Sequence, residues 1–448
     1  MSPDQAREIM TASEKACDAT GLAWKALGDD IDAVTLSLNA GAKFSPSKGM
    51  TSITDAVGRE PTTPNGARWA WTGHIWGSHR RAAYRAMCAL FLETTKAWAF
   101  DTYPDNPPWS NYDCTAAAEV LRQAGLECVV DDAPKQSAAD WRARTSRPVD
   151  AGLVLLNTKG NADFFELSPG KLSPPDAPVL ERPCAVHIVH SWSGAAIDSR
   201  DTVGGRWMER GAFAYFGSVE EPGLQAFVPT PVLASRLAAG FAWGAAVRID
   251  VSPVWKVACW GDPLWTVVKG MVRKPDAPLP LEGTADIADE MRQALTAKEM
   301  AGAVRALVLL GRDADVARVI AAMVKETPEK ITPAVAEAAA VALFRADRLD
   351  LLGAMARKAD PKSPAIGAIR DALWLGASGR LATTRDQELL TALRDNVREE
   401  LADRDLVELT AAWARVLGKE SAQAMLNEVG QQRKWLASAA QSAARVLK

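Results

Sequence analysis

Histidine is scarce in this chain: 448 residues contain only His74, His79, His187 and His190. A mechanism that needs an imidazole base has few places to put it. Cysteine is sparse as well. Cys17, Cys88, Cys114, Cys128, Cys184 and Cys259 are scattered, and none forms a C-x-x-C pair. That argues against a zinc site or a redox dithiol, and six cysteines in so long a chain are no disulfide framework. There is no run of Lys and Arg, and the net charge is −3, so no nucleic-acid partner is expected. No stretch of about 18 apolar residues occurs, so no membrane span is expected. The opening MSPDQAREIM has no basic segment leading into an apolar one, so no secretory signal is read and the cytoplasm is the expected compartment. The G-x-x-x-x-G-K-[ST], G-x-G-x-x-G and H-E-x-x-H motifs are missing too, and no cofactor or metal is expected.

What the chain does have is length, 16 tryptophans and sharp shifts of pattern. Its length suggests two or three domains. Residues 1–64 read as an N-terminal helix, Pro3 to about Leu27, and a Gly/Ser/Thr/Pro-rich linker from Gly41 to Asn65. Residues 65–272 alternate strands and helices. Strands are expected at Arg68–Trp76, Lys96–Asp101, Leu126–Asp131, Ala151–Asn157, Cys184–His190 and Ala212–Phe216, with a last hairpin over Val257–Val268. Helices are expected at His79–Thr94, capped by Ser78, at Cys114–Ala124, at Val203–Arg210 and at Pro231–Arg248. This is the pattern of a mostly parallel sheet flanked by helices, and the continuous apolar run Gly-Leu-Val-Leu-Leu fits a strand covered on both faces.

Residues 280–448 carry no strand signal. Short helix-length segments alternate with breaks, and related motifs recur at Leu309–Asp313, Phe344–Arg348, Ala377–Leu381 and Val416–Glu420. Spacings in the thirties point to helix-hairpin repeats of the tetratricopeptide kind, with a non-repetitive bundle as the alternative.

In an open α/β sheet the site lies at the carboxyl ends of central strands. Two ends stand out, Asn157-Thr158-Lys159-Gly160 and His190-Ser191-Trp192-Ser193-Gly194. Downstream come Arg206–Pro222, with Gly-Ala-Phe-Ala-Tyr-Phe-Gly and a Glu-Pro turn, then Gln225-Ala-Phe227 and Trp260-Gly-Asp-Pro-Leu264. In their order and spacing these elements, about 200 residues in all, resemble a family of uncharacterised bacterial proteins with a gingipain-like, caspase-type α/β core. The resemblance implies that one central strand ends in a Gly-His-Gly turn and the next in a Cys followed closely by Gly. The imidazole would set up a thiolate that attacks a peptide carbonyl. Lys159 stands where the His would be and Ser191 where the Cys would be.

The resemblance therefore implies a caspase-like pseudoprotease that serves as a scaffold, with the C-terminal helices holding a protein or peptide partner. The alternative is a diverged hydrolase that uses Ser191 with Lys159 or His190 as base. The plainer reading of these residues is a turn serine, a solvated lysine and a core histidine. His187 and His190 lie three apart and face opposite sides of a strand, so they do not share a metal. Asp198, Asp201 and Glu209 read as a solvated helix start.

Overall fold

The structure is a computed structural model that describes residues 1–44, 52–60, 66–249, 256–267 and 286–447. It divides into two compact units, Met1–Trp141 with Val149–Lys274, and Arg142–Pro148 with Pro275–Lys448.

The first unit is a mixed α/β core. Its strands are β1 (Ala33–Leu36), β2 (Trp71–His74), β3 (Lys96–Asp101), β4 (Glu127–Asp131), β5 (Leu153–Asn157), the small antiparallel set β6 (Gly160–Asn161), β7 (Phe164–Leu167) and β8 (Gly170–Leu172), then β9 (Ala185–Val189), β10 (Ala214–Ser218) and β11 (Val257–Trp260). Eight of them form one sheet in the order β1-β2-β11-β10-β9-β5-β3-β4. Every neighbouring pair is parallel except β10 and β11. Its helices are α1 (Pro3–Thr20), α2 (Ile53–Ala56), α3 (His79–Phe91), α4 (Cys114–Gln123), the first half of α5 (Ala138–Thr145, which crosses the boundary after Trp141), α6 (Val203–Glu209), α7 (Thr230–Ala238) and α8 (Trp243–Ala246).

Alternation along the central strands builds a core on each face. Val154, Leu156, Val186 and Ile188 join Ala6 of α1, Trp141 of α5 and Trp207 of α6. Leu153, Leu155, Ala185 and Phe216 join Leu121 of α4, Leu233 of α7 and Trp243 of α8. His187 points into this second core. It is fully buried, stacks on Phe216 with ring centroids 5.2 Å apart, and neither ring nitrogen has a hydrogen-bond partner among the described residues.

A charged cluster sits beside β2 and β11. All four residues of α2 are buried. One carboxylate oxygen of Asp55 accepts from Arg68 (2.6 Å), Arg248 (2.9 Å) and Arg59 (3.3 Å). Arg248 also donates to the Thr54 and Thr72 carbonyls, and the Thr54 hydroxyl accepts from the Cys259 amide. A short helix of the expected linker thus ties three distant parts of the chain together.

Several sequence expectations are corrected. Residues 1–64 are not set apart from the sheet, because β1 pairs with β2 in register from Ala33–Trp71 to Leu36–His74. Residues 45–51 and 61–65 of the expected linker lie outside the described residues. Helix α1 stops at Thr20, where Gly21 turns left-handed. The expected helix over 231–248 is two helices, broken at Gly240 with φ of 82°. The expected hairpin over 257–268 is a single strand within the described residues, paired back on β10, and Val268 lies outside them. Ser78 precedes α3 but its side chain makes no capping hydrogen bond.

The second unit is helical, with no strand among its described residues. Residues 280–285, where its expected range begins, lie outside the described residues. Its helices are α9 (Ile287–Thr296), α10 (Met300–Leu309), α11 (Asp313–Glu326), α12 (Pro333–Arg345), α13 (Leu349–Lys358), α14 (Ala365–Ser378), α15 (Gln387–Asp395), α16 (Ala402–Leu417), α17 (Lys419–Gln432) and α18 (Ala437–Ala443). Each packs mainly on helices one or two places away in the chain. Three tight helix-to-helix turns share one closure. The amides of Glu299, Arg312 and Arg348 donate to the carbonyls of Ala294, Leu307 and Leu343, each five residues back, around the left-handed residues Lys298, Gly311 and Asp347. Two of the four recurrent motifs are therefore the same turn. Gly418 joins α16 to α17 with a different backbone, and Gly379 ends α14 without a left-handed residue.

Lys298 is exposed and holds φ of 60° without glycine's freedom. Lys298→Gly is expected to stabilise the second unit by ~0.5–1 kcal/mol, read as a raised urea midpoint. An unchanged midpoint would mean that this turn carries no left-handed cost.

Candidate functional site

The chain leaves β3 outward to α4 and β4, and leaves β5 in the other direction to β9. The carboxyl ends of β3 and β5 therefore form the crevice where the sheet's strand order reverses, the usual place for a site in such a fold. Strand β9 pairs with β5 on its other side, with Asn157 opposite Val189. Three strand ends thus converge.

Buried polar groups lock them. The Tyr103 hydroxyl is shared between the carbonyls of Thr158 (3.1 Å) and Val189 (3.0 Å). The Asn157 amide donates to Asp101 (3.0 Å), to the Tyr112 carbonyl and to the Cys114 sulfur (3.2 Å), while its oxygen accepts from Thr230 (3.2 Å). Asp101 also accepts from the amides of Tyr103 and Cys114. Burial pushes its carboxyl up to about 6, against the pull of those donors. Burial likewise drives the Cys114 thiol well above its ordinary range, so this cysteine at the strand ends is a packed thiol and not an activated nucleophile.

Lys159 is exposed, with its amine 4.4 Å from the centre of the Trp109 ring. Trp109 in turn lies against Tyr103 at 4.6 Å. His190 is buried, and its Nε2 donates to the Phe164 carbonyl at 3.0 Å while Nδ1 has no hydrogen-bond partner among the described residues. Burial pushes its imidazole down to about 4, so it is neutral at pH 7. Gly160 lies directly against the His190 ring, where a Cβ would collide with Nε2. Ser191 is half-buried, and no hydrogen bond joins its hydroxyl to Lys159 or to His190 among the described residues.

The turn after β9 is held from β10. The Ser218 hydroxyl donates to the His190 carbonyl (2.7 Å) and accepts from the Trp192 amide (2.6 Å), and the Gly194 amide donates to the Ser218 carbonyl (2.7 Å). Trp192 itself is left-handed, with φ of 62°, and Lys43 lies over its ring at 4.5 Å.

Sequence reasoning reached Lys159, Ser191 and His190 but missed the contribution of β3. A cleft of about 200 Å³ opens beyond its end, lined by Asp101, Tyr103, Asp105, Trp109, Asp113 and Asp132 among others. The signal was present in the loop Thr102–Asp113, where the three aromatic residues Tyr103, Trp109 and Tyr112 stand among Pro, Asn and Asp. Asp113 also caps α4 through the amides of Thr115 and Ala116, and Asp132 accepts from the Thr115 hydroxyl. Asp198, Asp201 and Glu209 do not reach a shared centre. Among the described residues no group of three His, Cys, Asp or Glu side chains is placed to hold a metal, and no helix is long and apolar enough to cross a membrane.

No family model, no curated protein and no solved structure matches this chain.

Proposed function

We propose that the first unit is a caspase-like core whose dyad positions do not perform peptide hydrolysis, and that the protein works as a scaffold for a protein or peptide partner. The observation that carries this reading is the state of the two central strand ends. On this reading Lys159 stands where the histidine would be, and its amine lies over Trp109. Ser191 stands where the cysteine would be, and no hydrogen bond joins its hydroxyl to a base among the described residues. A serine hydroxyl without a matched base is a poor nucleophile. His190 does not serve Ser191 in this arrangement: with Nε2 donating to Phe164 its basic nitrogen is Nδ1, no hydrogen bond joins that nitrogen to the Ser191 hydroxyl among the described residues, and burial makes the ring a weak base.

The helical unit supports the binding half of the proposal. Helices that pack on near neighbours in the chain, joined by recurring turns, behave as a repeat array with extended faces. A groove of about 430 Å³ between α9 and α10, lined by Glu290, Gln293, Glu299, Arg305 and Leu309 among others, is one place for a peptide.

One observation favours a second reading, a diverged hydrolase using Ser191 with Lys159 or His190. A tryptophan held left-handed beside Ser191 stores backbone strain of about 1–3 kcal/mol, and such strain gathers at functional turns. One experiment separates the two. The full chain, Ser191→Ala and Lys159→Ala are each incubated with a proteome-derived peptide library and read by mass spectrometry. The scaffold reading expects the same uncleaved library from all three folded proteins. Cleavage by the parent chain that disappears in either variant would overturn it in favour of the hydrolase.

A further inference from the structure

An open sheet has two edges, and this one treats them differently. β4 forms one edge. The Glu127 amide donates to the Thr95 carbonyl, so Glu127, Val129 and Asp131 turn their backbone toward β3 and Cys128 turns outward. The outward Cys128 carbonyl is taken by Arg122 at 3.0 Å, and charged residues, Glu127 and Asp131, bracket the strand. Charges and a covering side chain keep an edge from pairing with another chain.

β1 forms the other edge and has neither device. From Ala33 to Gly41 the sequence Ala-Val-Thr-Leu-Ser-Leu-Asn-Ala-Gly carries no charge and no proline. The carbonyls of Asp32, Leu36 and Leu38 accept from the amides of Trp71, Ile75 and Gly77, so the even-numbered residues turn their backbone toward β2 and the segment after it. Ala33, Thr35 and Ser37 turn theirs away. No hydrogen bond takes their amides or carbonyls among the described residues. The side chains of Thr35 and Ser37 are exposed. This open stretch has definite ends. The Ile31 amide is already given to the Ala23 carbonyl in the loop after α1 (3.1 Å), and the chain bends away at Asn39 and Ala40.

A row of unpaired main-chain groups calls for another extended strand. The side chains say which strand. Val34 and Leu38 are partly buried and pack with buried Leu36 against the core on one face, while Ala33, Thr35 and Ser37 put small side chains on the other. The added strand must therefore be uncharged, apolar at alternate positions on the core face and small on the opposite face. β1 of a second copy meets each condition. A two-fold axis through Thr35, perpendicular to the sheet, sets Thr35 against Thr35 and Ala33 of one copy against Ser37 of the other. Every open amide and carbonyl of the three outward residues then finds a partner, and Val34 lies beside Leu36 on the core face. Asp30 and Asp32 fall opposite Ala40 and Leu38, so acid does not meet acid. This is the self-complementarity that a two-fold interface requires of a single surface.

We propose that β1 is a homodimerisation edge whose occupant is the antiparallel β1 of a second copy, so that two copies share one continuous sheet. The contact is a single short strand wide, at the low end of specific interfaces, and the dimer is reversible.

The test is sedimentation velocity on the full chain from ~5 to ~400 µM, a range that brackets so small an interface. The parent chain is expected to pass from monomer to dimer with a midpoint of about 100 µM. Thr35→Lys sets two ammonium groups against each other at the axis and is expected to weaken association by at least ~10-fold. Thr35→Pro removes the outward amide, which β2 does not use, and is expected to weaken it as much. Thr35→Val keeps a β-branched pair at the axis and should stay within about 3-fold of the parent. Amide exchange over residues 31–39 is expected to slow as the concentration of the parent chain rises, and not to slow in Thr35→Lys. Thermal unfolding checks that each variant is folded, and Thr35→Lys, a change to an exposed side chain, decides the matter if Thr35→Pro is not. A parent chain that stays monomeric at ~400 µM overturns the proposal and leaves the edge to an extended segment of a different protein. A dimer indifferent to Thr35→Lys places the interface elsewhere and overturns it equally.

Discussion

Asp55→Ala is expected to cost the α/β unit ~3–5 kcal/mol and to lower its melting temperature by roughly 10 °C. The side chain is 4% exposed and is shared by three arginines whose own side chains are 6%, 0% and 1% exposed. The carboxylate removes one positive charge from a site that holds three. Burial pushes the Arg248 guanidinium down to about 10, and Arg68 beside it pushes in the same direction, while Asp55 pulls it back up. Without Asp55 the cations keep their burial and their mutual repulsion and lose the charge they share. Removing one partner of a buried pair costs far more than the pair is worth, because the stranded charge has no water to return to. Asp55→Asn keeps the shape and one acceptor oxygen, so it is expected to recover only a minor part of the loss. Arg248→Met is expected to cost less than Asp55→Ala, since it takes away one of three like charges and leaves the other two paired. The exposed Asp163→Ala is the control, and should stay within ~0.5 kcal/mol of the parent chain. The loss should also be insensitive to salt, since buried pairs are poorly screened. A loss below ~1 kcal/mol for Asp55→Ala would show that the arginines are satisfied without it, and the cluster would not be what holds α2 against β2 and β11.

How the fold was legible depends on how each element announces itself. Strands β5 and β9 are covered on both faces, so they read as unbroken apolar strings and their ends were found directly. Strand β1 is four residues, Ala33-Val-Thr-Leu36, with no run on either side. Only its pairing with β2 makes it a strand. The α2 segment carries Asp55 within a stretch rich in Ser and Thr, and in sequence that composition looks like solvated linker. Its partners Arg68 and Arg248 are 13 and 193 residues away, and nothing local records that they meet. The same reason hid Asp101 and Tyr103. Their loop is ordinary turn chemistry until the reversal of strand order brings it beside Asn157 and Thr158. Lys159 and Ser191 were placed at adjacent strand ends by sequence reasoning, but side-chain direction was not available to it. Trp109, which Lys159 faces, lies 50 residues earlier in the chain.

The second large effect is acid lability confined to one unit. Three of the four histidines are buried and neutral. Burial pushes His74 and His190 down to about 4 and His187 down to about 3, from an ordinary 6.5. Carbonyls of Leu38 and Phe164 accept from His74 and His190 and oppose the shift only in part, and for His187 burial acts alone. Between pH 6.5 and these lowered values the unfolded chain binds more protons than the folded one. The stability these groups give is therefore intact above pH 6.5 and is lost as the pH falls. Each costs about 1.4 kcal/mol per pH unit across its window. Asp101 has the opposite sign. Its raised value of about 6 means the folded state takes up a proton first, so acid favours folding through this group until the ordinary 3.8 is passed. At pH 4.5 the three histidines together cost roughly 8 kcal/mol and Asp101 returns roughly 2, which leaves a deficit of the size of a domain's whole stability. The α/β unit is expected to unfold between about pH 5 and 4. The second unit contains no histidine, so helical circular dichroism should outlast the loss of near-ultraviolet tryptophan signal. His187→Phe keeps an aromatic ring on Phe216 and removes two unpaired nitrogens from the core. It is expected to stabilise the unit by ~1–2 kcal/mol at pH 7 and to move the acid midpoint down by about half a pH unit. A midpoint that does not move would mean that His187 is already protonated or hydrated in the folded protein, and that this dry imidazole is not one of the groups through which acid opens the sheet.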